Sequence, residues 1–132
     1  MITGIEHVAI CSRNSTELKE WYKRVFEFQQ VYENEDGTYF LKAQNGFMLE
    51  FIQETEPGET IGEKKGGIRH IAFMVDEFDK MIELLAREKV DFITDPVLFS
   101  NSLSLDAKES RLFLFRDPEG NILHFIKRQQ PL

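Results

Sequence analysis

The alternation of hydrophobic and polar residues predicts a strand, a helix and three more strands in the first half of the chain. The apolar run 4–10 predicts the first strand, and Asn14-Ser15-Thr16-Glu17 has the pattern of a helix start with Asn14 as its cap. The helix carries apolar residues at i, i+3, i+4 and i+7, namely Leu18, Trp21, Tyr22 and Val25. The three following strands are predicted at 29–33, 38–43 and 47–53, separated by the turns Asp36-Gly37 and Asn45-Gly46.

The second half repeats this order. A strand is predicted at 68–75, Asp76 is the expected helix cap, and the helix repeats the apolar spacing with Phe78, Met81, Ile82 and Leu85. Three further strands are predicted at 91–94, 111–116 and 121–127, while 97–108 is left open between a short strand, a loop and a lid. We therefore predict an α+β domain over residues 1–132, with module one at 1–53, a glycine-rich linker at 54–67 and module two at 68–132.

All three histidines of the chain occupy equivalent points of these halves. His7 and His70 lie in the similar segments GIEHVAI and GIRHIAF, and His124 lies in the last strand of the second half. The last strand of the first half carries Glu50 at the matching position. The residues two positions before and after each of these three histidines and Glu50 are apolar. Each of the four polar side chains is therefore expected on an otherwise apolar strand face.

This pattern favours a divalent metal site. Burying a carboxylate on an apolar face costs free energy unless the carboxylate is paired or binds a cation. Three imidazoles with one carboxylate suit zinc or nickel, with iron or manganese as alternatives. A single strand histidine is more often a hydrogen-bonded core residue than a metal ligand, so the interpretation depends on the duplication. The predicted ligands are His7, Glu50, His70 and His124.

Composition and charge narrow the range of partners. The chain has 132 residues, of which 42% are hydrophobic and 30% charged, as in one globular domain with a buried core. The net charge of −7 argues against nucleic acid or an anionic membrane as a partner. No signal peptide or bilayer-spanning apolar run is recognised, and the lone Cys11 excludes an internal disulfide. We predict a cytoplasmic protein in which Cys11 is buried.

The segments IEHVAI, WYKRVFEF, IRHIAFMV and FRDPEGNILHFI together resemble the vicinal oxygen chelate superfamily, which includes glyoxalase I, extradiol dioxygenases and bleomycin resistance proteins. The resemblance implies two βαβββ modules that form an incomplete β-barrel around a metal, with the helices outside. It puts the family's metal positions on the same four residues. Two departures are His124, where glyoxalase-like members usually have glutamate, and Glu27, where glycine is usual and a solvent-facing side chain is expected.

The resemblance also implies a reaction. We expect a glyoxalase-like lyase or isomerase whose small-molecule substrate chelates the metal through two oxygens, with proton transfer through an enediolate-type intermediate and Glu50 as the base. One alternative is an Fe(II)-dependent extradiol-type dioxygenase that uses His7, His70 and Glu50. Another is a small-molecule-binding resistance protein without catalysis. Four protein ligands leave two positions on an octahedral ion, which favours the lyase or isomerase.

Residues that bind the substrate depend on strand register. Phe40, Lys42, Arg111, Phe113 and Phe115 are candidates for the cavity side. Arg111 either binds an anionic group of the substrate or is a surface charge beside Glu109, and Phe113 is a candidate cavity wall. A homodimer is expected, because dimers are common in the superfamily and exposed sheet edges need cover. Whether one chain or two build each barrel stays open.

Overall fold

A computed structural model describes residues 1–56, 67–94 and 111–128. The chain divides into two compact units, Met1–Gly58 and Glu59–Leu132. The stretch 97–108, which the sequence analysis left open between a short strand, a loop and a lid, lies outside the described residues, as does most of the predicted linker.

The first unit contains a four-stranded sheet and one helix. Its elements are β1 (His7–Ser12), α1 (Ser15–Phe26), β2 (Gln29–Glu33), β3 (Tyr39–Lys42) and β4 (Met48–Gln53). The sheet order is β1-β4-β3-β2, with β1 parallel to β4 and the other neighbours antiparallel.

The second unit repeats this plan. Its elements are β5 (Ile71–Met74), α2 (Phe78–Arg87), β6 (Asp91–Phe92), β7 (Arg111–Arg116) and β8 (Ile122–Lys127). The sheet order is β5-β8-β7-β6, and β5 is parallel to β8. The predicted α+β fold with two βαβββ modules is therefore confirmed.

Helix α1 begins where the sequence predicts. The Asn14 side chain caps the helix by accepting a hydrogen bond from the Glu17 backbone N–H at 3.2 Å. The four apolar residues of the predicted stripe are all buried. They cover one face of the first sheet, where the Tyr22 and Phe51 rings lie 4.9 Å apart. Helix packing thus fixes which strand residues face inward.

Helix α2 begins differently from the prediction. Glu77, not Asp76, occupies the cap position, and it makes no side-chain cap hydrogen bond. Asp76 instead accepts a hydrogen bond from the Glu77 backbone N–H at 2.8 Å. Phe78 and Leu85 of the predicted stripe are buried. Neither described helix is long and apolar enough to cross a membrane.

Each sheet has a second face, opposite its helix, which we call the helix-free face. On β1 the residues Ile10 and Ser12 are buried, whereas Ala9 and Cys11, which alternate with them, are exposed. The prediction that Cys11 is buried is therefore wrong. The physical reason is that β1 is an edge strand and Cys11 lies on its helix-free face.

Candidate metal centre

The strand pairing puts the four predicted ligands into the same register in both units. In the first unit Ala9 lies opposite Glu50, and His7 lies two residues before Ala9 on the same side of the strand. In the second unit Ala72 lies opposite His124, and His70 lies two residues before Ala72. Each unit therefore has one donor pair on its helix-free face.

In the first unit the donor side chains of His7 and Glu50 are close together. The Nε2 atom of His7 lies 3.3 Å from Oε2 of Glu50, and its Nδ1 atom lies 3.0 Å from Oε2 of Glu6. The Glu50 side chain is 19% exposed, and Phe40 packs edge-on against the imidazole with ring centres 5.3 Å apart. A carboxylate and an imidazole so placed could bind one cation together.

In the second unit the rings of His70 and His124 have centres 4.9 Å apart. His124 is only 8% exposed, and its Nε2 atom has no hydrogen-bond partner in the described part of the chain. Burial lowers the pKa of His124, and the charges of His70 and Arg128 lower it further. His124 is therefore a neutral imidazole at neutral pH, the form that binds metals.

The Nε2 atom of His124, which has no hydrogen-bond partner among the described residues, indicates whether a metal would fit this unit. A buried polar atom without a partner costs about 1–3 kcal/mol, and coordination of a cation would offset that cost. Within residues 1–56, 67–94 and 111–128, no three His, Cys, Asp or Glu side chains form a group that could hold a metal ion. The donors occur as two pairs, one in each unit.

Register separates the predicted substrate residues into two groups. Phe40 lies opposite Glu50, and Lys42 lies opposite Met48, so both are on the helix-free face of the first sheet. Arg111 and Phe113 pair with Lys127 and Phe125, out of phase with His124 by one residue. Phe115 has the same parity, and these three side chains lie on the α2 side of the second sheet.

The contacts of Arg111 and Phe113 explain why these residues belong to the helix side. Arg111 donates hydrogen bonds to both carboxylate oxygens of Asp79, at 2.8 and 3.4 Å, and its guanidinium carbon lies 4.6 Å from the centre of the Phe78 ring. Phe113 is 0% exposed and packs edge-on against Phe92. Arg111 thus contacts α2 and Phe113 packs against β6, so neither residue is part of the proposed site.

Two residues on the helix-free faces were not singled out from the sequence. Tyr32 lies opposite Phe40 on β2, and Arg116 lies opposite Ile122 on β7. Arg116 donates a hydrogen bond to the Gly120 carbonyl and lies 3.6 Å from the Asp91 carboxylate. For Arg116, the sequence signal was the turn Asp117–Gly120, because counting back from this turn tells which face of the sheet each β7 side chain occupies.

Comparison with known proteins gives one family. The profile of the Glyoxalase/Bleomycin resistance protein/Dioxygenase superfamily matches residues 4–125. A protein called YwkD from Bacillus subtilis, described as uncharacterized, is 28% identical over 103 residues, which cover 74% of this chain and 79% of that protein.

Solved structures resemble the fold. A glyoxalase/dioxygenase from Nostoc punctiforme matches with a TM-score of 0.76 at 17% identity, covering 97% of this chain and 92% of that one. A variant of the fosfomycin resistance protein FosX from Listeria monocytogenes, solved with Mn(II) and 1S,2S-dihydroxypropylphosphonic acid, matches with a TM-score of 0.73 at 17% identity, covering 95% and 90%. At these identities the likeness describes the fold alone.

Proposed function

Because this chain belongs to the Glyoxalase/Bleomycin resistance protein/Dioxygenase superfamily, we propose that it is a metal-dependent lyase or isomerase. Its substrate is a small molecule that presents two neighbouring oxygens to the metal. The whole chain, 1–132, acts as one domain in which each module supplies half of the site.

The proposed ligands are His7 and Glu50 from the first unit and His70 and His124 from the second. Three imidazole nitrogens and one carboxylate oxygen suit zinc or nickel, and iron or manganese would also bind such a set. The buried Nε2 atom of His124, which has no hydrogen-bond partner among the described residues, supports this assignment most directly. A divalent cation held there would act as a Lewis acid on the two substrate oxygens.

Glu50 is the proposed base. Its carboxylate lies beside His7 and is part-buried, so it meets the substrate in a site from which most water is excluded. In the proposed reaction on a hydroxyketone, it takes a proton from the hydroxyl-bearing carbon next to the carbonyl and returns it to the carbonyl carbon. The hydroxyl proton passes to the former carbonyl oxygen, so that atoms and charge balance. The Oε1 atom is the candidate acceptor, since Oε2 is the oxygen beside His7.

The observation that carries the proposal is the repeated register. An alanine opposite a donor, with a histidine two residues earlier, occurs once in each unit. Ordinary core packing would not require polar side chains at both equivalent points. With His124 as a fourth ligand, an octahedral ion would have two positions left, which would suit a two-oxygen chelator better than a catechol together with dioxygen.

Proton exchange tests the proposal. The chain is purified without added metal, reconstituted with zinc or nickel, and incubated in D₂O with hydroxyketones and with the hemithioacetals of methylglyoxal. We expect deuterium to enter the carbon next to the carbonyl, as measured by NMR. Glu50→Gln should keep the metal but lose the exchange, whereas the control Glu33→Gln, on β2 of the same sheet, should keep both. Absence of exchange with every substrate, or full exchange by Glu50→Gln, would overturn the proposal.

We also propose that the protein is a cytoplasmic homodimer. The strands β1 and β5 are sheet edges, and Met74 on β5 is 81% exposed. Such edges need cover to avoid uncontrolled strand pairing, and a second copy would supply it. Light scattering after size-exclusion chromatography should give twice the mass of the 15.5 kDa chain.

A further inference from the structure

We infer that Tyr32 and Phe40 form a subsite for an aromatic group of the substrate. This inference deepens the proposed function and rests on it, because it assigns the substituent carried by the two-oxygen chelator. It comes from the arrangement of rings on the helix-free face of the first sheet.

The two aromatic residues share one row with the proposed base. Ala9 lies opposite Glu50, Glu50 opposite Phe40, and Phe40 opposite Tyr32, across four adjacent strands. Residues paired in this way point to the same side of a sheet, and neighbouring strands are about 5 Å apart. An aromatic group attached to a substrate held at Glu50 would therefore reach Phe40 and Tyr32 along the row.

The rings have a geometry that leaves aromatic surface available. Tyr32 packs edge-to-face on Phe40 with ring centres 5.7 Å apart, and Phe40 packs edge-to-face on His7. Tyr32 nevertheless remains 50% exposed. Edge-to-face and offset contacts are the arrangements that aromatic rings prefer, so a ring of the substrate can add to this series as the fourth.

The second unit has no such row among its described residues. Leu114 takes the place of Phe40 opposite His124, and the neighbouring pair on that face is Leu112 with Ile126. The helix-free faces of the two sheets therefore differ in chemistry, with aromatic rings beside the Glu50 carboxylate and aliphatic side chains beside His124. This difference assigns the aromatic end of the substrate to the first unit.

The experiment compares two chelators that differ only in their substituent. Benzohydroxamate and acetohydroxamate both present two neighbouring oxygens, but only the first carries a ring. Nickel-loaded protein is titrated with each by calorimetry, and the ratio of the two affinities is compared between the wild type and variants. A ratio of affinities within one variant does not depend on how much that variant is destabilised.

We expect the wild type to prefer benzohydroxamate, and Tyr32→Leu to reduce that preference about two- to tenfold. Tyr32→Phe, which retains the ring, should keep it. Phe40 is left unchanged because it also contacts His7. An equal ratio in the wild type and Tyr32→Leu, with nickel bound, would overturn the subsite alone. Failure to bind nickel, or any other divalent metal, would overturn the proposed function and the subsite with it.

Discussion

The Nε2 atom of His7 lies 3.3 Å from Oε2 of Glu50, across the parallel pairing of β1 with β4. The equivalent pair in the second unit consists of two imidazoles, one of them buried without a hydrogen-bond partner in the described residues. The two pairs thus differ in charge although their register is the same. A divalent ion bound by both would keep a formal charge of +1, which strengthens it as a Lewis acid.

His124→Leu should raise the stability of the metal-free protein and abolish its metal binding. Because leucine has no polar ring atom to leave unpartnered, we expect the metal-free variant to unfold with a free energy about 1 kcal/mol higher than the wild type. Urea unfolding in the presence of EDTA measures this difference. The same variant should lose metal uptake.

His124→Gln is the control, since it keeps a polar side chain and should bring no such gain. A metal-free His124→Leu protein that is less stable than the wild type would show that the imidazole is already satisfied.

Removing the ion pair between Asp79 of α2 and Arg111 of β7 should lower the free energy of unfolding slightly. The hydrogen bond from Arg111 holds the pKa of Asp79 below its ordinary value of 3.8. The folded state thus binds the proton less tightly than the unfolded state, so the pair stabilises the fold above pH 3.8 and loses its effect as the pH falls through the lowered pKa. Because Asp79 is largely exposed, Asp79→Asn should lower the free energy of unfolding by less than about 1 kcal/mol at pH 6.

The difference between Asp79→Asn and the wild type should shrink as the pH falls below 3.8. Glu83→Gln, which removes one charge from the exposed side of the same helix, should show no comparable effect. A deficit of Asp79→Asn that stays constant down to the acid range would assign the loss to a cause other than this ion pair.

Glu27→Gly should stabilise the first unit. Glu27 ends α1 in the left-handed conformation, with φ 57° and ψ 30°, and its side chain is exposed. Residues with a Cβ atom adopt this conformation at a cost of about 1 kcal/mol, which glycine avoids. Thermal unfolding should therefore shift upward in Glu27→Gly. Glu27→Ala removes the charge but keeps the Cβ atom, so an equal gain in Glu27→Ala would contradict the conformational explanation.

Local patterns were sufficient to predict the element order and, to within one residue, most strand boundaries. The strands Gln29–Glu33 and Arg111–Arg116 have the predicted bounds, since turns or caps delimit them in the sequence. The first strand was predicted at 4–10 but spans His7–Ser12. Its hydrophobic run extends before the paired residues, where Ile5 is 77% exposed. Pairing with β4, which includes the buried Ser12, decides the boundary.

Register decided which candidate residues share a face with the proposed ligands. The hairpin between β7 and β8 is closed by hydrogen bonds between Asp117 and Asn121, which put Leu114 opposite His124 and Arg111 opposite Lys127. The sequence alone left the side of Arg111 open because a shift of one residue reverses every side chain.

The most direct test of the central claim is the number of metal ions bound per chain, measured by mass spectrometry of the metal content in the wild type, His7→Gln and His124→Leu. If the two donor pairs share one ion, the wild type binds one divalent ion per chain, and each single substitution removes it. Two ions per chain, or an ion that is kept by either His7→Gln or His124→Leu, would contradict a shared site.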